Sequence, residues 1–282
     1  MKSIRLAIVG DIHGYWNKYD VNILQEMIQP NHTIFVGDFQ NEDTNFISNL
    51  QNTMNEHNLP FTCILGNHDA WATTIDSVKH ITTRIPPYDV NKVNNIQKSL
   101  EILSTNHVGF SHKNISTLNL SIIGGRPCSW GGPEWSNNFF GAPSMFYKNI
   151  FDINSFQESA NIITNEINTS KYKNKIVIGH NGPTGLGTER NAIVGQDFSE
   201  TGGDFGDPDF EIAIVNAAKH SNHHIPLCLF GHMHHLIKPL KHKDEIWHGD
   251  QGDGNRIMCM KKDNIVYVVS IIYIIYRSID RL

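Results

Sequence analysis

Five short pieces of the chain carry side chains able to hold metal ions: Asp11-Ile12-His13-Gly14, Gly37-Asp38, Gly66-Asn67-His68-Asp69, Gly179-His180 and Gly231-His232-Met233-His234. Each offers a carboxylate, an amide carbonyl or an imidazole. Two divalent ions about 3.5–4 Å apart clamp the attacking and leaving oxygens of a phosphoryl transfer, and they turn a bound water into hydroxide near neutral pH. That hydroxide attacks phosphorus in line while the cations neutralise charge on the equatorial oxygens. Mixed oxygen and imidazole donors suit Mn, Fe, Zn or Ni better than Ca, which prefers oxygen alone.

Such donors act together only if the fold delivers them to one place. Each piece follows a short apolar run: Ile4 to Val9, Thr33 to Val36, Phe61 to Leu65, Ile176 to Ile178 and Leu227 to Phe230. Runs of this length, rich in Ile, Val, Leu and Phe and ended by Gly, read as buried strands. In an open α/β sheet, ligands gather beyond the carboxyl ends of the strands. The opening reads strand, helix (Lys18 to Ile28), strand, helix (Thr44 to His57), strand, a βαβαβ unit. Further helices are expected near Thr74 to Thr83, Val90 to Leu103, Ser155 to Asn168 and Pro208 to His220. Further strands are expected at Val108 to Ser111 and Leu118 to Ile123. Two long loops, Gly124 to Tyr147 and His180 to Asp207, each begin at a strand end, and loops this long in a compact domain are usually functional. They read as walls facing a substrate.

The order and spacing of the five pieces resemble the calcineurin-like metallophosphoesterase superfamily over residues 4 to about 240. Any one piece is weak alone: Asp11, Asp38 or Asn67 would pass for a cap or turn residue. All five in order require five coincidences under that reading. The segments Ser129 to Trp135, Gly179 to Gly187 and Gly202 to Asp209 resemble a subfamily of cyanobacteria and plant plastids. The resemblance implies a four-layer α/β/β/α sandwich. It implies that Asp11, His13 and His234 hold one metal, that Asp38 bridges, and that Asn67, His180 and His232 complete the second. His68 matches the family's leaving-group acid, a role an imidazole can fill because it titrates near neutrality. Where some members carry a second aspartate supporting that histidine, this chain has Asn41; Asp69 or Asp43 would have to substitute. Arg126, in Gly124-Gly125-Arg126-Pro127, has a guanidinium suited to gripping phosphate through two parallel hydrogen bonds. Its alternative role is to brace a loop. Trp130 and Trp135 either stack on a substrate base or pack a loop.

The chain has 282 residues and a net charge of −5. It is long enough for one α/β domain spanning 1–282. No cluster of Lys and Arg forms a nucleic-acid footprint, which disfavours a nuclease. The expected substrate is a small phosphomonoester or phosphodiester. A non-catalytic scaffold on the same fold is the other reading, set against by the full ligand set. Cys63, Cys128, Cys228 and Cys259 are scattered and read as small buried residues in a reducing compartment. The strand-like start leaves no room for a leader peptide, so a cytoplasmic location, or a plastid stroma, is expected. The apolar run Ile265 to Tyr276 is shorter than the ~20 residues of a membrane span. It reads as one or two strands, with 266–282 diverging from the family pattern.

Overall fold

In the run Leu6-Ala7-Ile8-Val9, every side chain is buried, and successive residues enter different clusters. Leu6 and Ile8 pack with Ile34, Val36, Ile122, Ile178 and Leu229. Ala7 and Val9 pack with Phe35, Leu24, Leu50 and Ile96. A strand apolar on both faces must lie between two layers. The computed structural model, which describes residues 4–40, 43–73, 90–135, 144–196, 199–219, 224–233, 258–262 and 265–269, has this arrangement.

One parallel sheet has the order β1 (Leu6–Val9), β2 (His32–Phe35), β3 (Phe61–Cys63). Its outer face is covered by α1 (Lys18–Asn22), which runs on as a π-helical stretch over Ile23–Ile28, by α2 (Thr44–Glu56) and by α3 (Val90–Leu103). Asn17 caps α1 by accepting from the Tyr19 N–H. Asp43 caps α2 by accepting from the N–H groups of Asn45 and Phe46.

The second sheet comprises β4 (His112–Ile115), β5 (Leu120–Gly124), β6 (Asn174–Ile178), β7 (His224–Phe230), β8 (Met258–Lys262) and β9 (Ile265–Val269), in the order β4-β5-β6-β7-β9-β8. Helix α4 (Ser144–Phe151) sends Phe146 and Tyr147 into the first outer cluster. Helices α5 (Phe156–Thr169) and α6 (Pro208–Ala218) cover the outer face of the second sheet. The aliphatic cluster of Leu6, Ile8, Ile34, Leu120, Ile176 and Leu227 glues sheet to sheet. The result is the expected helix–sheet–sheet–helix stack.

Three expectations change. Val108 to Ser111 is a turn, with Ser111 N–H donating to Val108 O and Phe110 at φ 56°, and the strand starts at His112. The loop expected to run to Tyr147 gives way to helix at Ser144. In the apolar C-terminal run only Ile265–Val269 is described, as a strand parallel to β7 with Tyr267 buried. The expected helix at 74–83 and residues 270–282 lie outside the described residues. Among those described, no helix is long and apolar enough to cross a membrane.

Candidate metal centre

The carboxyl ends of β1, β2, β3, β6 and β7 converge. The chain must turn sharply there, and the turning residues are the proposed ligands themselves. Asp11, His13, Asp38 and His232 have φ of 51°, 41°, 54° and 70°. Side chains seldom adopt this left-handed conformation, and it gathers at functional sites. Backbone bonds hold these turns together: Asp11 N–H donates to Gly37 O, and His13 N–H to Asp38 O. Two glycines are required by close approach. A Cβ at Gly37, itself at φ 99°, would stand 2.5 Å from His180 Nδ1, and one at Gly66 would stand 2.2 Å from Asp38 Oδ1.

Asp38 is the hub. It is 1 % exposed, and its Oδ1 accepts from the His68 N–H and lies 3.2 Å from His180 Nε2. Its Oδ2 is buried with no hydrogen-bond partner and lies 3.8 Å from His13 Nε2. Asp38 belongs to two clusters of metal-ligand atoms, one with His13 and His68, the other with His180 and His232. Burial would raise the Asp38 pKa, but the imidazoles of His180, His68 and His232 outweigh burial and hold it well below the usual carboxylate range.

His180 Nδ1 lies 2.8 Å from Val36 O, a carbonyl that can only accept, so Nδ1 carries a proton. In the neutral ring Nε2 then presents a lone pair. Asn67 Oδ1 sits 2.8 Å from that Nε2 and 2.9 Å from His232 Nδ1. Several electron-pair donors thus face one another and are satisfied only by protons or by a cation. Burial lowers the His180 pKa, yet Asp38 more than compensates and brings it up to about 9; a bound cation would take that proton's place. These donors, together with the orphaned Asp38 Oδ2, fit divalent metal ions.

The other sequence-predicted residues fall as follows. Asp11 joins the site through its carboxylate, whose two oxygens accept from the His232 N–H at 3.0 and 3.1 Å. The His68 ring stands edge-on to His13, with centroids 4.7 Å apart. Asp69 does not support His68. Its Oδ1 accepts from the Phe39 and Gln40 N–H groups and its Oδ2 from Gly66, binding the turn after β2 to the turn after β3. Burial, reinforced by Asp38, pushes its pKa up to about 7. Asp43 is spent on capping α2. Asn41 and His234 lie outside the described residues.

Arg126 needs a correction. It is 2 % exposed, with Nε donating to Asp209 at 2.9 Å and Nη2 to Asp207 at 2.7 Å. Its guanidinium carbon is 5.3 Å from the ring centres of Trp135, Tyr147 and Phe156. A side chain committed in this way braces the loops and is not available to grip a substrate. Ser129 Oγ donates to the same Asp207, and Gly132 N–H donates to Phe205 O, so the two long loops are fastened to each other. Trp130 rides on that joint: its ring is 5.1 Å from His232 and 5.9 Å from Phe205. The sequence reading missed Asp207 and Asp209. Asp207 occupies the N-cap position of α6 ahead of Pro208, which disguises it as a helix cap, yet its side chain makes no cap bond.

Residues 4–236 match the family model described as calcineurin-like phosphoesterase. The chain belongs to that family. It is therefore a metal-dependent phosphoester hydrolase, and the ligand clusters are consistent with that. Among solved structures, protein TT1561 of Thermus thermophilus is 9 % identical with a TM-score of 0.53, over 95 % of this chain and 89 % of that one. A dimetal phosphatase from Danio rerio is 8 % identical with a TM-score of 0.46, over 96 % and 89 %. At 9 % identity the likeness to TT1561 is one of fold alone. No curated protein matches the chain.

Proposed function

We propose that this phosphoesterase uses a dinuclear centre to hydrolyse a small soluble phosphomonoester or phosphodiester. The observation that carries the reading is Asp38, whose carboxylate belongs to both ligand clusters and whose buried Oδ2 has no hydrogen-bond partner. Asp11, His13, Asp38 and His234 would hold one ion, and Asp38, Asn67, His180 and His232 the other. Mn, Fe, Zn and Ni are the metals to try. Divalent ions held there supply Lewis acidity and lower the pKa of water. The chain's own residues do the rest. His68, beside His13 and anchored by its N–H to Asp38, donates a proton to the leaving oxygen. The Asn67 amide orients the phosphoryl group. Asp69 fixes the two turns from which Asp38, Asn67 and His68 project. The two loops joined at Asp207 and Phe205 flank His232 and restrict the substrate to a small molecule. The absence of a basic stripe in the sequence supports the same limit.

The loop sequences support membership of the cyanobacterial and plastid subfamily. Cys63, Cys128 and Cys228, buried as free thiols, suit a cytoplasm or stroma.

Metal analysis of the purified protein, with turnover of aryl phosphate, bis-aryl phosphate, nucleotides, a phosphopeptide and single-stranded DNA under one metal condition, tests this reading. Up to two ions per chain and a preference for the small esters are expected. Preference for DNA or the phosphopeptide overturns the substrate class. Absence of bound metal and of activity with all four metals returns the chain to a scaffold role.

A further inference from the structure

At the opposite end of the first sheet from the metal centre, the starts of β2 and β3 and the end of β4 frame an open cleft of about 330 Å³. Its lining includes His32, Asn106, Lys113, Asn114, Ser116 and Thr117 and, among the described residues, no Asp or Glu. Two observations on this cleft are independent of each other. The first is Lys113. Its half-buried ammonium donates to two neutral acceptors, Phe61 O at 3.1 Å and Asn106 Oδ1 at 2.6 Å, and among the described residues no carboxylate lies within ion-pair distance of it. Burial lowers its pKa accordingly. A partly desolvated cation lacking a counter-ion leaves a positive potential in the cleft. The second is His32. It is 2 % exposed, its Nε2 meets Thr62 Oγ1 at 2.8 Å, and its Nδ1 is buried without a partner. A buried ring nitrogen of this kind calls for a hydrogen-bond partner.

We infer that this cleft is an anion site, separate from the metal centre, that takes the phosphate or carboxylate group of a small molecule between Lys113 and His32. Thr62 O–H donating to His32 Nε2 would leave Nδ1–H as a donor to the ligand. The remaining proton of the Lys113 ammonium would supply the charge-assisted bond. The inference does not depend on the proposed substrate of the metal centre.

The test is a titration of the metal-loaded protein with inorganic phosphate and, separately, acetate, following the His32 ring signal by NMR against chloride at equal ionic strength. A saturable shift with either oxyanion is expected, and which of them acts identifies the ligand's acidic group. In Lys113→Met the affinity should fall about tenfold or more, the worth of one charge-assisted hydrogen bond. Lys113→Arg should keep much of it. Phosphate at the metal centre cannot mimic this, because Lys113→Met leaves that centre intact. A flat His32 signal in wild type, a chloride response of equal size, or an undiminished response in Lys113→Met overturns the inference. Should Lys113→Met fail to fold, a selenate soak of wild-type crystals decides: an anomalous peak between Lys113 Nζ and His32 supports the site, and a cleft without one refutes it.

Discussion

Replacing Arg126 by leucine separates its two readings. In the interior, the guanidinium compensates two carboxylates that are themselves buried, Asp207 and Asp209, both 2 % exposed or less. Burial disfavours the arginine's charge, but those carboxylates outweigh it and hold its pKa above the ordinary value. Removing one partner of a buried ion pair costs about 3–5 kcal/mol, because the other charge is left unpaired. That is a large share of the ~5–15 kcal/mol that holds a typical domain together, and it corresponds to a fall of about 10 °C in melting temperature. The pH dependence carries a sign. In the wild type, burial and the nearby Asp209 push Asp207 up to about 6 against the pull of Arg126. Without the arginine this pKa rises further. Between the unfolded value near 4 and that raised value, the folded variant binds more protons than the unfolded chain, so its stability rises as pH falls. The deficit of Arg126→Leu against wild type should therefore shrink between pH 7.5 and pH 5. Urea unfolding at both pH values, with KM measured in parallel, is the assay. A melting temperature within about 2 °C of wild type together with a raised KM would refute the buried-brace account and return Arg126 to the substrate.

Four other perturbations report on different parts of the structure. Asp38→Ala should cost the protein more bound metal than any other single ligand change, whereas His68→Ala should keep its metals and lose about 100-fold or more in turnover; normal activity per bound metal in His68→Ala would exclude it as the acid. Asp69→Ala removes the acceptor of three backbone N–H groups, so metal affinity should drop about 10- to 100-fold in equilibrium dialysis, and unchanged affinity would show that the two turns hold without it. His32, lowered to about 3 by burial first and Lys113 second, stays neutral in the folded chain while the unfolded chain protonates below about 6.5. Stability should thus fall with pH below 6.5 by about 1.4 kcal/mol per unit from this group; equal urea-unfolding slopes for wild type and His32→Gln would count against this.

The residues that converge on the candidate centre were legible because their chemistry is local. The first donor of each piece lies two residues beyond an apolar run, and the run by itself announces a buried strand end. What lay outside the reach of the sequence was pairing over distance. Arg126 looked like a phosphate ligand because its partner Asp207 stands 81 residues away, at a position where an aspartate ordinarily caps a helix. Asp69 looked like a partner for its neighbour His68, yet the carboxylate turns toward the backbone of residues 39, 40 and 66. The strand expected at Val108 to Ser111 failed for a related reason. Val108 is buried in the cluster between the sheets, and burial alone explains its apolar character. The polar segment His112–Ile115 can be the strand because it pairs only with β5 and lies at the sheet's edge, where one side faces solvent and polar side chains are tolerated. In each case the residue type stated what the position must satisfy, a charge, a hydrogen bond or burial, and the fold decided which partner satisfies it. The same argument bears on Lys113 and His32: the ammonium calls for a counter-ion and the ring's Nδ1 for a hydrogen-bond partner, and the described fold supplies neither.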